Sequence, residues 1–203
     1  MSQPQSNNYG HAVVIGGSLA GLLSARVLSD HFVKVTLVER DRLPQSAEPR
    51  KGVPQGRHVH GLLIRGEQIL SRLFPDLLPA LMEAGATRVD MGEDLRWHHF
   101  GLWKARFLSG LSGLSLSRPL LEWQIGRRVG ALPNVQVIEE CSCDQLAMSD
   151  DKTCVTGVKT QRRTGADPEN LVVADLVVDA SGRVSQTPQW LESRLPQARG
   201  VHS

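Results

Sequence analysis

The sequence predicts an α/β protein built on a strand, turn, helix, strand unit of the kind that holds a pyrophosphate. Three stretches carry that expectation. The first is His11 to Gly21, HAVVIGGSLAG, the second is Val33 to Val38 ending at Glu39, and the third is the apolar run Leu171 to Ala180, LVVADLVVDA.

Ala12 to Ile15 are apolar and mostly β-branched, as in a parallel strand covered on both faces. Gly16 and Gly17 then let the backbone turn sharply, and Gly21 lets the following helix lie close against the strand. Ser18, Leu19 and Ala20 lie between them, where the first N–H groups of the helix and the positive end of its dipole face an anionic ligand. The helix is expected to bury a stripe of Leu19, Leu22, Leu23 and Val27. Glu39 ends the second strand 23 residues after Gly16, near the ~20-residue spacing of a ribose-binding acid. Its carboxylate can accept hydrogen bonds from ribose hydroxyls and would repel a 2′-phosphate. Ser18 departs from G-x-G-x-x-G at the second glycine: it can offer a hydroxyl to a phosphate but narrows the clearance. A glycine-rich turn alone could be a plain connection. Here strand, turn, helix, strand and terminal acid agree, and the unit reads as Rossmann-like.

At 203 residues with 40% hydrophobic content the chain can bury a real core as one large domain or two small ones. Lys plus Arg number 23 against 21 for Asp plus Glu, so no general attraction to nucleic acid is implied. The longest apolar stretch, Ala12 to Leu23, is too short and glycine-rich for a membrane span, and residues 2 to 8 carry no basic export segment. A cytoplasmic location is the default. Cys141, Cys143 and Cys154 lack the spacing of a zinc site or a disulfide framework and are expected to be strand residues, and no metal site is expected.

Arg40 to His60, rich in proline and without periodicity, is expected to be a long loop, and loops of that length tend to be functional. Helices are expected over Leu62 to Leu73 and Asp76 to Ala84, the second ending at Gly85. Residues 87 to 117, with isolated Trp97, Phe100, Trp103 and Phe107, read as short strands outside the nucleotide unit, His98 and His99 being ordinary strand histidines. SRPLLEWQIGRRVGAL reads as a helix with Pro119 in its first turn and Leu121, Ile125 and Val129 buried. Arg118 at its start stands against the dipole, which favours an anionic or polar ligand partner over a surface role. Val135 to Ile138, Cys143 to Met148 and Val155 to Arg162 suggest a β-meander. Leu171 to Ala180 is expected to be one more buried strand ending beside the ligand, and PQWLESRL a last helix.

Four motifs in order, GGSLAGLLSARVL with VTLVERD, GVPQGRHVHGLL, SRPLLEWQI and ADLVVDASGRVS, give the chain a resemblance to the N-terminal part of FAD-dependent monooxygenases of the aromatic-hydroxylase type, with flavin epoxidases and geranylgeranyl reductases as relatives. The resemblance implies an FAD-binding domain over residues 10–86 and 117–182. An excursion over 87–116 would begin a mixed-sheet substrate layer, with disordered tails at 1–9 and 196–203. It implies that Gly16, Gly17, Ser18, Leu19, Ala20 and Gly21 cradle the FAD pyrophosphate, Glu39 holds the adenosine ribose and Arg40 flanks the adenine side. Arg57, His58 and His60 would approach the flavin from the long loop, Arg118 would reach the ribityl and pyrophosphate region, and Asp179, Ser181 and Gly182 would close the site.

Relatives carry Gly-Ala-Asp-Gly where this chain has Asp179 to Gly182, so their acid position is Ser181 and the usual inference of NADPH contact there does not carry over. The implied activity is hydroxylation or epoxidation of an aromatic, polyketide or terpenoid-like small molecule with O2 and reduced flavin, NAD(P)H being an external reductant. No catalytic acid or base is assigned; His58 and His60 are the nearby candidates. Family members continue well beyond this length through a Gly-Asp motif, and this chain has no Gly-Asp dipeptide. The expectation is therefore a truncated chain, with a complementary C-terminal chain as partner if the gene is split. Two other readings stay open: a non-catalytic nucleotide-binding remnant or one chain of a split enzyme, and a flavin-dependent reductase or halogenase.

Overall fold

The computed structural model describes residues 9–49, 59–163 and 170–192. In chain order the elements run β1 (Tyr9–Ile15), α1 (Leu19–Ser29), β2 (Phe32–Val38), β3 (Val59–Leu62), α2 (Ile64–Leu73), α3 (Leu77–Glu83), β4 (Thr87–Asp90), β5 (His98–His99) and β6 (Leu102–Trp103). They continue with β7 (Ser112–Ser117), α4 (Arg118–Gly130), β8 (Val135–Ile138), β9 (Cys141–Met148), β10 (Val155–Arg162), β11 (Asn170–Val173), β12 (Leu176–Asp179), a 3-10 turn (Gly182–Val184) and α5 (Thr187–Glu192). The chain divides into two compact units, Met1–Leu43 with Val129–Ser203, and Pro44–Arg128.

The first unit is α/β. A parallel sheet has the order β12-β1-β2-β8, and α1 is the crossover from β1 to β2. The alternation of a strand sorts β1 between two layers. Val13 and Ile15, with Val38 from β2, enter one cluster with Cys141, Leu146 and Val158 of the antiparallel sheet β11-β10-β9. Ala12 and Val14, with Val35 and Leu37, lie on the opposite face and are also sealed from solvent. A strand covered on both sides has to be apolar at every position, which is the reason for the AVVI run.

Helix α1 buries Gly21, Leu22, Ala25 and Ser29, while Val27 is 42% exposed. The expected stripe through Val27 is thus displaced by the spacing 22, 25, 29, in which small side chains let the helix approach the sheet. Tyr9, expected in a disordered tail, opens β1, its ring 5.2 Å from that of Phe32. Residues 1–8 and 196–203, the rest of the expected tails, lie outside the described residues.

The apolar run Leu171 to Ala180, expected to be one buried strand, is two. β11 pairs antiparallel with β10, and β12 pairs parallel with β1. The handover falls at Ala174 and Asp175, whose N–H groups donate to Thr156 O and His11 O. Asp175 Oδ2 accepts the His11 N–H at 2.8 Å. The His11 ring is held between Val173 O (2.7 Å) and Thr36 Oγ1 (2.8 Å), and burial keeps its pKa below the ordinary value. Leu171 and Val173 are 58% and 64% exposed, as an edge strand allows.

The second unit holds the antiparallel sheet β3-β7-β4, the hairpin β5-β6 and helices α2 to α4. The expected loop ends earlier than His60 and the expected helix starts later than Leu62, because Val59 to Leu62 pair with Ser117 to Leu114. The excursion from Met91 to Leu111 is tied at its neck by Asp90. Its Oδ1 accepts the N–H groups of Gly92, Glu93 and Ser109 and the Ser109 hydroxyl, and Oδ2 accepts Gly110 N–H. Burial opposes ionisation of Asp90, but these donors outweigh it and hold the carboxyl far below the usual range. Phe100, Leu102, Trp103, Phe107 and Leu108 are all exposed beyond that neck.

Candidate functional site

The Gly16 turn lies where β1, β2 and β12 end together. Gly16 N–H donates to Val38 O and Ala180 N–H donates to Ile15 O, both at 2.8 Å, so the turn is fastened to both neighbouring strands. A Cβ on Gly16 would stand 2.8 Å from Ala180 O, and its φ of +97° is one that side chains disfavour. A Cβ on Gly21 would stand 1.7 Å from Gly16 O. Helix α1 therefore begins against the turn's own carbonyl. From β1 the chain crosses to β2 on one side, while β12 fills the other, so the C-terminal end of β1 is the switch point where open α/β sheets bind ligands.

Ser18 is the N-cap of α1 in extended conformation, with no side-chain capping bond, and Leu22 N–H is the first to reach a helix carbonyl, Ser18 O at 2.9 Å. The N–H groups of Leu19, Ala20 and Gly21 have no carbonyl four residues back within the helix. No acidic residue occupies the first turn. That array can hold an anion.

Glu39 is 7% exposed and its carboxylate accepts two backbone N–H groups, Gly17 at 2.6 Å through Oε2 and Asp41 at 2.9 Å through Oε1. The acid thus braces the turn as well as standing at the end of β2. Arg40 donates to Asp41 Oδ2 at 3.2 Å, and Asp41 also takes Arg163 at 3.0 Å. The Asp179 carboxylate at the end of β12 is ringed by its own segment: Oδ1 accepts the Ser181 N–H and hydroxyl, and Oδ2 accepts the hydroxyls of Ser185 and Thr187. Burial pushes its pKa up, but the Ser181, Ser185 and Thr187 bonds outweigh this and hold it below the ordinary carboxylate value. Gly182 follows with φ +77° and opens the 3-10 turn.

In the second unit His60 lies on β3, paired with Leu116 of β7, and Arg118 opens α4 directly after β7 ends at Ser117. Burial and the Arg118 charge together hold His60 below its usual pKa. Arg118 Nε donates to Glu122 Oε2 at 3.3 Å, and both side chains are largely buried, 13% and 7% exposed. Ser117 Oγ accepts Leu120 N–H and caps the helix. Arg57 and His58 lie outside the described residues.

The structure thus gathers Gly16 to Gly21, Glu39, Asp179, Ser181 and Gly182 at one end of one sheet, and His60 and Arg118 in the other unit. Sequence reasoning missed Asp41, Ser185, Thr187 and Glu122. Hydroxyls two, six and eight residues after Asp179 were a readable signal, since aspartate commonly takes nearby donors in such turns.

No family model matches the sequence. The chain is 39% identical over 188 residues to Protein Rv3254 of Mycobacterium tuberculosis, covering 89% of this chain and 40% of that protein. Among solved structures it is similar to PqsL of Pseudomonas aeruginosa, described as a probable FAD-dependent monooxygenase. That likeness has a TM-score of 0.67 and 15% identity over 94% of this chain and 48% of that one. It is similar to p-nitrophenol 4-monooxygenase PnpA of Pseudomonas putida DLL-E4, with a TM-score of 0.64 and 20% identity over 89% and 42%. It is also similar to the flavin-dependent monooxygenase PieE, solved with FAD and substrate, with a TM-score of 0.61 and 20% identity over 92% and 33%. These likenesses establish that the chain has the α/β fold found in FAD-dependent monooxygenases, and that it spans half or less of each of these proteins. Among the described residues no helix is long and apolar enough to cross a membrane.

Proposed function

We propose that this chain carries the flavin-binding unit of an FAD-dependent monooxygenase. The observation that carries the reading is the Gly16 turn, wedged between the ends of β2 and β12 and overlain so closely by α1 that Gly21 has no room for a Cβ. That geometry fits a dinucleotide pyrophosphate: the backbone is bare of side chains where a phosphate would approach, and the N–H groups of Leu19, Ala20 and Gly21 supply donors. Glu39 would take the adenosine ribose. Its carboxylate already accepts the Gly17 and Asp41 N–H groups, which fix it at the end of β2, and its charge disfavours a 2′-phosphate at the same place. Arg40 would flank the adenine, and Asp179 with Ser181 and Gly182 would hold the segment that closes the cofactor site. Assigning His60 and Arg118, with Arg57 and His58, to the same ligand rests on the GVPQGRHVHGLL and SRPLLEWQI motifs.

When bound, FAD supplies the redox chemistry with O2, and NAD(P)H serves as external reductant. The protein's part is to bind, orient and exclude water. The substrate class is an aromatic, polyketide or terpenoid-like small molecule, in keeping with the p-nitrophenol named for PnpA, and the location is cytoplasmic.

The test is direct. Purified protein is expected to show flavin absorbance or, if isolated without cofactor, to gain thermal stability with added FAD, by about 2.7 kcal/mol at a hundredfold excess over Kd. Colourless protein whose melting does not respond to millimolar FAD would sink the reading and leave a non-catalytic remnant in its place.

A further inference from the structure

We infer that Ser185 and Thr187 are positioning residues for the proposed pyrophosphate cradle: their hydroxyls, bound to Asp179, hold in place the segment that walls the Gly16 turn. The inference rests on the proposed FAD reading and adds two residues that reading does not contain. Every group involved belongs to the first compact unit.

The wall is Ala180 and Ser181. A Cβ on Gly16 would stand 2.8 Å from Ala180 O and 3.1 Å from Ser181 Cα, and a Cβ on Gly21 would stand 3.5 Å from Ala180 Cβ. The corner between the turn and α1 therefore keeps its shape only while these two residues stay against it. On the β12 side they are anchored by the bond from Ala180 N–H to Ile15 O. On the other side Gly182 opens the 3-10 turn, whose closing bond is local, Ser185 N–H to Gly182 O at 3.1 Å. The fixed point beyond that turn is α5, whose Trp190 and Leu191 pack against the core cluster of Val13, Ile15 and Val38. Asp179 Oδ2 joins the two sides. It accepts the Ser185 hydroxyl and, at 2.6 Å, the hydroxyl of Thr187, the first residue of α5. Ser185 Oγ in turn accepts Thr187 N–H at 3.3 Å.

Completing the turn after β12 does not require these two hydroxyls, because Ser181 alone fills Oδ1 with its N–H and its hydroxyl. What Ser185 and Thr187 add is reach, from the end of β12 to the start of α5. With both ends of the 180–184 segment held, the backbone against the turn is ordered before a ligand arrives. Order already present in the free protein does not have to be imposed at binding, and the saving appears as affinity.

The experiment is an FAD titration of the wild type, S185A/T187V, S185T/T187S and N134A, followed by flavin fluorescence well below every melting transition, with the melting of each unliganded protein recorded beside it. S185A/T187V is expected to weaken FAD binding roughly three- to tenfold, the cost of ordering the segment at binding. S185T/T187S keeps both hydroxyls and is expected to bind within about twofold of wild type. N134A removes two bonds, to Ser29 O and Phe32 O, where β2 begins rather than where the turn lies. It is expected to lower the melting temperature while leaving FAD affinity within about twofold. A double variant that melts lower yet binds FAD like wild type, one that binds no more weakly than N134A, or a loss that S185T/T187S does not recover overturns the inference and leaves FAD binding standing. Wild type that takes up no FAD overturns the underlying reading and this inference with it. If S185A/T187V does not fold, T187V and T187S decide: T187V is expected to bind at least about twofold more weakly than T187S, and equal binding overturns the inference.

Discussion

Replacing Gly21 by alanine tests the central geometry with a single methyl group. Real Cβ atoms essentially never stand closer than 3.0 Å to another heavy atom, and this one would begin 1.7 Å from the Gly16 carbonyl oxygen. The difference, 3.0 less 1.7, means that α1 or the turn must retreat by at least about 1.3 Å. A radial gap of only 0.5 to 1 Å already forfeits about a quarter to a half of a dispersion contact. Leu22 and Ala25, 1% and 0% exposed, sit on the face that would lift. Losing about half the burial of one leucine costs about 1 kcal/mol, and the overpacking itself about 1–3 kcal/mol. The expected loss is therefore about 3 kcal/mol, or about 6–12 °C in Tm for a chain of this size.

Two other glycines separate steric from conformational effects. Gly85 has φ +99° and open space around it, so G85A should show only the left-handed penalty of about 1–2 kcal/mol. Gly130 ends α4 with nothing within 4 Å, so G130A should be neutral or stabilising by up to about 1 kcal/mol. Thermal melting of the three variants by circular dichroism gives the ranking. A G21A protein that melts within a degree or two of wild type, or above G85A, would refute the close approach of α1 to Gly16 and with it the bare cradle on which the FAD reading rests.

Other outcomes follow from the titratable groups. Asp179 has a folded pKa below its unfolded value of about 3.9, so the stability it contributes is present above that pH and is lost as pH falls through the folded value. Asp179→Asn should lower Tm at pH 7, and the gap to wild type should narrow as the pH drops below about 4; a gap independent of pH would show that the hydroxyl ring does not favour the charged form. Asp90→Ala should expose the 91–111 excursion to limited proteolysis while leaving α1 and β1 protected, since its five accepted bonds all lie at that neck; an unchanged digestion pattern would contradict the clasp. Burial pushes the Cys143 thiol up to about 12, whereas Cys154 is exposed. Alkylation of the folded protein at pH 8, mapped by mass spectrometry, should therefore label Cys154 well before Cys143, and labelling at equal rates would mean that β9 opens readily.

The parts of this fold that were legible in the sequence are those whose cause is local. The AVVI run, the Gly16 and Gly21 positions and the acid at Glu39 are each dictated within a few residues: two covered faces require apolar residues throughout, a sharp turn requires glycine, and a helix lying on a carbonyl leaves no place for a Cβ. What escaped depends on partners far along the chain. Val59 to Leu62 look like loop and helix start until β7 is beside them, and Leu171 to Ala180 look like one strand because the residue at the handover, Ala174, is itself buried. Only Asp175 betrays the break, through its bonds to His11 164 residues away.

The same distinction governs the site. Glycines mark where a ligand's backbone-facing side can lie, and they are readable because they reflect an absence of atoms. The charges that act on such a ligand are set by which neighbours engage them. Glu39 spends acceptor capacity on Gly17 and Asp41, and Asp179 is satisfied by its own segment. Charge type alone therefore overstates what the Asp179 carboxylate can offer a ligand, because the four hydrogen bonds it accepts all come from its own segment.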